Sequence, residues 1–450
     1  MAAGTYTWEA LVHPGLDLKL VGWAANAGAA PWDGPSGKDN WGGDHGEPNG
    51  VATQGDRVLL AWTFAEAGKA LVACDLDGKV QWKNSRQGMS GCREVTMDGD
   101  YIFGLNGNIA YRLKTDGSYA AWPGKDTPDL KPFDVLAEAQ RAGIADEFNA
   151  LSAKGGTLFA TMTKGDALLV IDAANGKLKQ LVKVAAPGAP CALDATTCLV
   201  VSDGKILRID GVTGSSTVFA EQKDIRGLAL APDGAVFASI GGSTNQVLVF
   251  GKDGKVQRTI GRAGGRPLLG PWDPTGLYHP TGLAVDAKGT LWVAENDNIP
   301  KRFSSWDAKT GAFKKEFLGP ATYGALGGSI CPVDPLIMVG QGCEWRIDPV
   351  SGKAKVLAII TRDGMENSRF ATGTNGRTYL FTAGNWAFNV GPINIFERLG
   401  DGQWKKRGEI FYQDKDGKDV PTSEHGKEPK AVKTMVWTDA NDDGKHDANE

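Results

Sequence analysis

The sequence predicts an all-β fold of repeated four-stranded units, and three observations predict it. The 450 residues include 61 glycines and 22 prolines, too many turn formers for a helical protein and well suited to short strands joined by tight turns. One hairpin recurs along the chain as an apolar strand, an Asp/Asn-rich turn closed by glycine, and a second strand. A second, more apolar hairpin interleaves with it. At 450 residues the chain exceeds what one compact core usually supports, so either two domains or a repetitive architecture is expected.

The first hairpin reads CDLDGKVQW (74–82), RLKTDGSYAAW (112–122), VIDAANGKLKQL (170–181) and RIDGVTGSSTVF (208–219). It continues as VFGKDGKVQRTI (249–260), SWDAKTGAFKKEF (305–317), RIDPVSGKAKVL (346–357) and ERLGDGQWKKRGEI (397–410). Its turn glycines are Gly78, Gly117, Gly176, Gly214, Gly254, Gly311, Gly352 and Gly402, with short steps of 38 to 41 residues and longer steps of 59, 57 and 50 that carry insertions. The second hairpin begins at ATQGDRVLLAW and recurs as EVTMDGDYIFGL, ALSAKGGTLFAT, ALDATTCLVVSD, LALAPDGAVFAS, LAVDAKGTLWVA, SICPVDPLIMVG and FATGTNGRTYLFT. Two hairpins per unit of roughly 40 residues make a propeller blade. Both patterns count to eight, so the expected fold is an eight-bladed β-propeller over residues 51–412.

Residues 1–50 carry four of the 14 tryptophans (Trp8, Trp23, Trp32, Trp41) and are expected to cap the disc or wrap its rim. Within the long step at 119–149, FDVLAEAQRAGIADEF (133–148) has apolar residues at helical spacing, which predicts a helical insertion over about 123–148. This insertion and the Gly/Pro-rich 261–279 both lie between blades, on one face of the disc. Residues 413–438 read as a polar linker.

Residues 439–450, DANDDGKHDANE, fit a twelve-residue EF-hand loop. Oxygen ligands fall at Asp439, Asn441, Asp443, Asp447 and Glu450, with the carbonyl of Lys445 at position seven and Gly444 at the sharp turn. The expected cofactor is Ca2+.

Several function classes are set aside. A net charge of −4 gives no basic footprint for nucleic acid. No run of about 18 apolar residues is present, so no membrane-spanning helix is expected. The six cysteines form no CxxC pair and match no zinc signature. The start has neither the basic nor the apolar region of a signal peptide. The chain also stops on the last position of the metal loop, which suggests further domains of a longer polypeptide. A calcium loop of this kind fits a secreted, extracellular or periplasmic setting.

Aligning the innermost strands on their apolar cores places Asn49, Arg93, Asn149, Arg226, Thr281, Ser329 and Ser368 near the channel mouth. His279 and His45 stand just upstream. Loops leaving the second strands add Glu295, Asp297, Lys301, Arg302 and Glu344, and Arg369 follows in NSRF. Converging arginines bind carboxylate, phosphate or sulfate through paired charge-assisted hydrogen bonds. His45 or His279, with Arg93 and Arg226, is the candidate catalytic set; Asn49, Asn149, Glu295, Asp297, Arg302, Glu344 and Arg369 are candidate ligand-binding residues.

YHPTGLAVDAKGTLWVAENDN (278–298) resembles the units of NHL-repeat and SMP-30-like propellers, and LALAPDGAVFAS is a weaker copy. DLDGKVQW and DAKTGAFKKEF are more distantly similar to the outer hairpins of quinoprotein (PQQ-type) propellers, and the terminal loop resembles those of dockerins. These resemblances imply fold more than function. The reading they favour is an extracellular binding or scaffold module for a glycan or protein partner. One alternative is an enzyme, a polysaccharide lyase or hydrolase acting on acidic glycans from the channel mouth. Another is a metal-dependent lactonase or esterase of the SMP-30 type, drawing on Glu295, Asn149 and Asn49.

Overall fold

The protein is seen in a computed structural model that describes residues 46–63, 70–84, 91–319, 328–340, 342–348, 350, 353–362, 367–383, 392–419 and 433–443. Among these residues the chain forms eight antiparallel sheets, seven of which run strand by strand in sequence order, while the other gains Gly270–Pro271 at its edge. All eight expected units are present, and the molecule is an all-β propeller.

Six sheets make a ring. Their innermost strands are Pro48–Gln54, Glu94–Asp98, Ala150–Lys154, Pro187–Ala192, Ile225–Leu230 and Pro280–Val285, one from each of blades one to six. Each lies beside the next, and that of blade six lies beside that of blade one. Hydrogen bonds staple the neighbours: Ala153 N–H donates to Thr96 Oγ1 at 3.0 Å and Ala192 N–H to Ser152 Oγ at 2.9 Å. The closing pair is stapled twice, by Thr281 Oγ1 donating to Asn49 O at 3.1 Å and Thr53 Oγ1 to Val285 O at 3.2 Å. One apolar cluster runs across this seam from Trp62 to Phe303 and Phe317, with the Trp62 and Phe303 rings edge to face at 5.2 Å. Each such buried side chain contributes about 1.5–3 kcal/mol.

The other two sheets stand outside the ring. The seventh is built from Gly328–Ile330, Ile337–Gly340, Cys343–Asp348 and Lys353–Ile359, and the eighth from Asn367–Thr372, Thr378–Ala383, Ile393–Gly400, Gln403–Gln413 and Lys433–Thr438. They pack on each other as blades do, since Phe370 N–H donates to Ser329 Oγ at 3.2 Å in the manner of the ring staples. The seventh sheet joins the ring through Gly270–Pro271, which pairs with its outermost strand. The Gly/Pro-rich insertion at 261–279 is therefore the strut between ring and outer sheets. Lys433–Thr438, expected within a linker, is instead the edge strand of the eighth sheet.

The repeated turns are explained by their aspartates. Asp210 Oδ1 accepts the N–H groups of Val212 and Thr213, and Asp307 Oδ1 accepts those of Lys309 and Thr310. These backbone donors hold both carboxyls below the usual carboxylate range. Gly214 and Gly311 then take φ of 76°, a left-handed conformation that disfavours a side chain.

The insertion forms one helical turn, Pro132–Val135, and a 3-10 turn, Glu138–Gln140, rather than the expected longer helix. Leu136 and Ala137 are extended between them. The Arg141 guanidinium donates to the carbonyls of Phe133 and Leu136, which a continuous helix would use internally.

Candidate functional site: the channel mouth

The six inner strands enclose a central channel of about 320 Å³. Their N-terminal ends meet at one opening, where Asn49 Nδ2 donates to Arg93 O at 2.7 Å and Arg93 Nη2 to Asn149 O at 3.0 Å. The pairing registers slip between Pro48 and Gly50, between Ile225 and Gly227, and between Pro280 and Leu283. Asn49, Arg226 and Thr281 therefore sit in β-bulges, which turn side chains away from the regular pleat and are common beside functional sites. A glycine follows each of the three, because the strands approach too closely for a Cβ. One added at Gly227 would lie 2.3 Å from Thr281 O.

The structure thus brings Asn49, Arg93, Asn149, Arg226 and Thr281 to one opening, while Ser329 and Ser368 lie in the outer sheets. The two arginines differ. The Arg93 guanidinium donates to the carbonyls of Phe148, Asn149 and Gly107 and clamps blade two to blade three. Arg226 is exposed and makes no side-chain hydrogen bond or ion pair among the described residues. Asn296 Nδ2 reaches Asn49 Oδ1 at 3.3 Å, and Asn298 Nδ2 reaches Glu47 Oε1 at 2.6 Å, extending the rim of amides.

Glu94 belongs to this opening and was not anticipated. It is half-buried on the channel wall, and Asn49 Nδ2 lies 3.4 Å from its Oε1. Burial pushes its carboxyl up to about 7, against the pull of the Arg93 charge. Hydrogen bonds from Arg93 N–H to Leu105 O and from Asn149 N–H to Thr161 O make Glu94 the counterpart of Ala150 in the next blade. Gly50, Gly227 and Gly282 stand at the same level. The signal in the sequence is a glutamate where neighbouring units carry glycine or alanine.

Other candidates lie elsewhere. Glu295 and Arg302 are fully buried at the junction of blade six and the seventh sheet, so neither faces the channel. Glu295 accepts Arg266, Arg302 and the Tyr278 N–H; Asp297 accepts Arg266 at 2.9 Å and Arg362 at 3.0 Å; Arg302 Nε donates to Glu316 at 2.8 Å. These pairings join three guanidiniums and three carboxylates in a structural hub. Glu344 is likewise buried in the outer sheets, held by Arg398, the Gly402 N–H and Trp404. Arg369 is exposed on the eighth sheet and donates to Ser368 O. His279 is exposed and stacks on Tyr278 at 4.1 Å, with φ of 46°. His45 lies outside the described residues.

Of the terminal loop, Asp439, Asn441 and Asp443 are described, whereas Lys445, Asp447 and Glu450 lie outside the described residues. The Asp439 side chain is buried and accepts Arg407 Nη1 at 3.1 Å. Its oxygen donors suit a hard cation, which would have to displace that guanidinium.

Sheets, staples and channel define the chain as a β-propeller. No family model and no curated protein matches it. Solved structures similar to it include the WD40 β-propeller domain of Doa1, 11% identical over 75% of this chain and 90% of that one, with a TM-score of 0.40. Virginiamycin B lyase from Staphylococcus aureus is 13% identical over 70% and 96%, at 0.39. A gluconolactonase from Xanthomonas campestris is 14% identical over 57% and 85%, at 0.41.

Proposed function

We propose that the protein is a ligand-binding propeller whose ligand, an acidic glycan, seats at the channel mouth. The observation that carries this reading is Arg226, a channel-lining residue at a bulge beside the rim amides, whose exposed guanidinium lies over Gly241 and has no partner among the described residues. Arginine pairs with a planar carboxylate through two parallel hydrogen bonds, and the amides of Asn49, Asn149 and Asn296 suit sugar hydroxyls. A secreted scaffold role and a calcium-steadied tail belong to the same proposal, on the strength of the terminal loop. So does the likeness of residues 278–298 to NHL and SMP-30 units.

A second reading, an enzyme acting on acidic polysaccharide at the same mouth, is favoured by Glu94. A carboxyl that titrates near neutrality can take or give a proton at working pH. The lactonase reading loses Glu295 to the buried hub. Among the described residues, no three His, Cys, Asp or Glu side chains are grouped to hold a metal.

Calorimetric titration with trigalacturonate tests the proposal. The acid should bind, its methyl ester bind weakly, and R226A lose roughly 10- to 100-fold in affinity, the range for a hydrogen-bonded charge. Equal affinity of R226A and wild type would overturn it. Unsaturated product in the same cell would mark the enzyme reading. A calcium arm with D439N reports on the tail: heat lost in the variant supports the loop, and unchanged heat removes it.

A further inference from the structure

The inner level of the channel is asymmetric in a way that general packing does not require. In a ring of six, blade two faces blade five, so Glu94 and Arg226 stand on opposite walls of one channel. At the level of Glu94, Gly227 and Gly282 line the channel and put no side chain into it. Arg226 has no ion-pair partner among the described residues, Glu94 included. An acid and a base are thus held apart across a small polar gap.

We propose that this gap is a proton-coupled carboxylate site, in which Arg226 pairs with a ligand carboxylate while Glu94, as the neutral acid, donates its O–H to it. The inference deepens the reading of the mouth as a ligand site and rests on it. A carboxylate ligand cannot sit beside ionised Glu94 without like-charge repulsion, whereas protonated Glu94 is a donor aimed at an acceptor. Binding is then written as protein with ionised Glu94, plus ligand carboxylate, plus one proton, giving the complex. No covalent bond changes.

The charged and titratable groups facing the channel with Glu94 are few. They are Asp98 on its own strand, Lys154 on blade three, Cys191 on blade four and Arg226 on blade five, with Cys92 and Arg93 acting on Glu94 from just before its strand; the channel-lining residues of blades one and six supply none. Asp98 is occupied at the far end, accepting the N–H groups of Gly155 and Gly156. Burial pushes the Cys191 thiol up to about 12, so it stays neutral. Glu94, pushed to about 7, is the group that changes charge between pH 6 and pH 8.

Wild-type protein is titrated with trigalacturonate at pH 6 and pH 8, each in two buffers of different protonation enthalpy. Close to one proton should be taken up per ligand at pH 8 and little at pH 6, with affinity falling about tenfold between them. E94Q should bind with no proton uptake and no such fall. Wild-type binding that is independent of both buffer and pH overturns the proposal and leaves the ligand site standing. No binding of the acid at either pH overturns the site reading itself. The wild-type arm needs no variant to fold.

Discussion

Replacing Gly282 by valine should destabilise the protein by about 3 kcal/mol or more, the scale of severe overpacking. A Cβ at Gly282 would lie 2.3 Å from Asn49 O and 2.8 Å from Gly50 Cα, both backbone atoms of blade one that no rotamer change can move. The added bulk pushes blade six away from blade one, strains the staples between them and loosens the Trp62–Phe303 contact. G400A is the control, since nothing lies within 4 Å of a Cβ there. Denaturant midpoints with unchanged slopes should separate the two variants.

The second large effect is expected at the hub. Glu295→Ala leaves Arg266 and Arg302, both fully buried, without their shared counter-charge. Breaking a buried ion pair by removing one partner costs about 3–5 kcal/mol, mostly from the stranded charge. Arg266 lies on the strut that pairs with the seventh sheet, so the same change should weaken the tie between the ring and the outer sheets. Protease accessibility within 261–279 should rise with the loss of stability. Glu147→Ala, which removes the exposed pair with Lys164, should cost well under 1 kcal/mol. Equal effects from the two substitutions would mean that the hub is not structural.

Much of the fold was legible because its information is local. An aspartate that caps the turn donors and a glycine in the left-handed region mark most of the outer hairpins among the described residues, all within a few positions, and the sequence repeats this signature eight times. The rim positions Asn49, Arg93, Asn149, Arg226 and Thr281 were also legible, because strand register follows from each hairpin. Where the ring closes was not, since it depends on contacts between residues more than 200 positions apart, such as Thr53 with Val285. The charges of 295–302 read as rim residues by strand position. Their partners Arg266 and Arg362, which draw them into a buried junction, come from distant loops. Glu94 was hidden for a simpler reason: it sits one position beyond the rim residue Arg93, at a level where other units carry the featureless Gly50, Ala150, Gly227 and Gly282. The segment 133–148 has helical spacing, but Arg141 takes the carbonyls a continuous helix would need.

The most direct test of the account is the position of trigalacturonate bound to crystals of the protein. The ligand carboxylate should lie in the channel mouth, within hydrogen-bond reach of the Arg226 guanidinium and close to the Glu94 carboxyl, with sugar hydroxyls toward Asn49 and Asn149. Ligand density confined to the outer sheets, or to the separate surface cavity that Trp122 and Lys179 line, with the mouth holding only water, would contradict it.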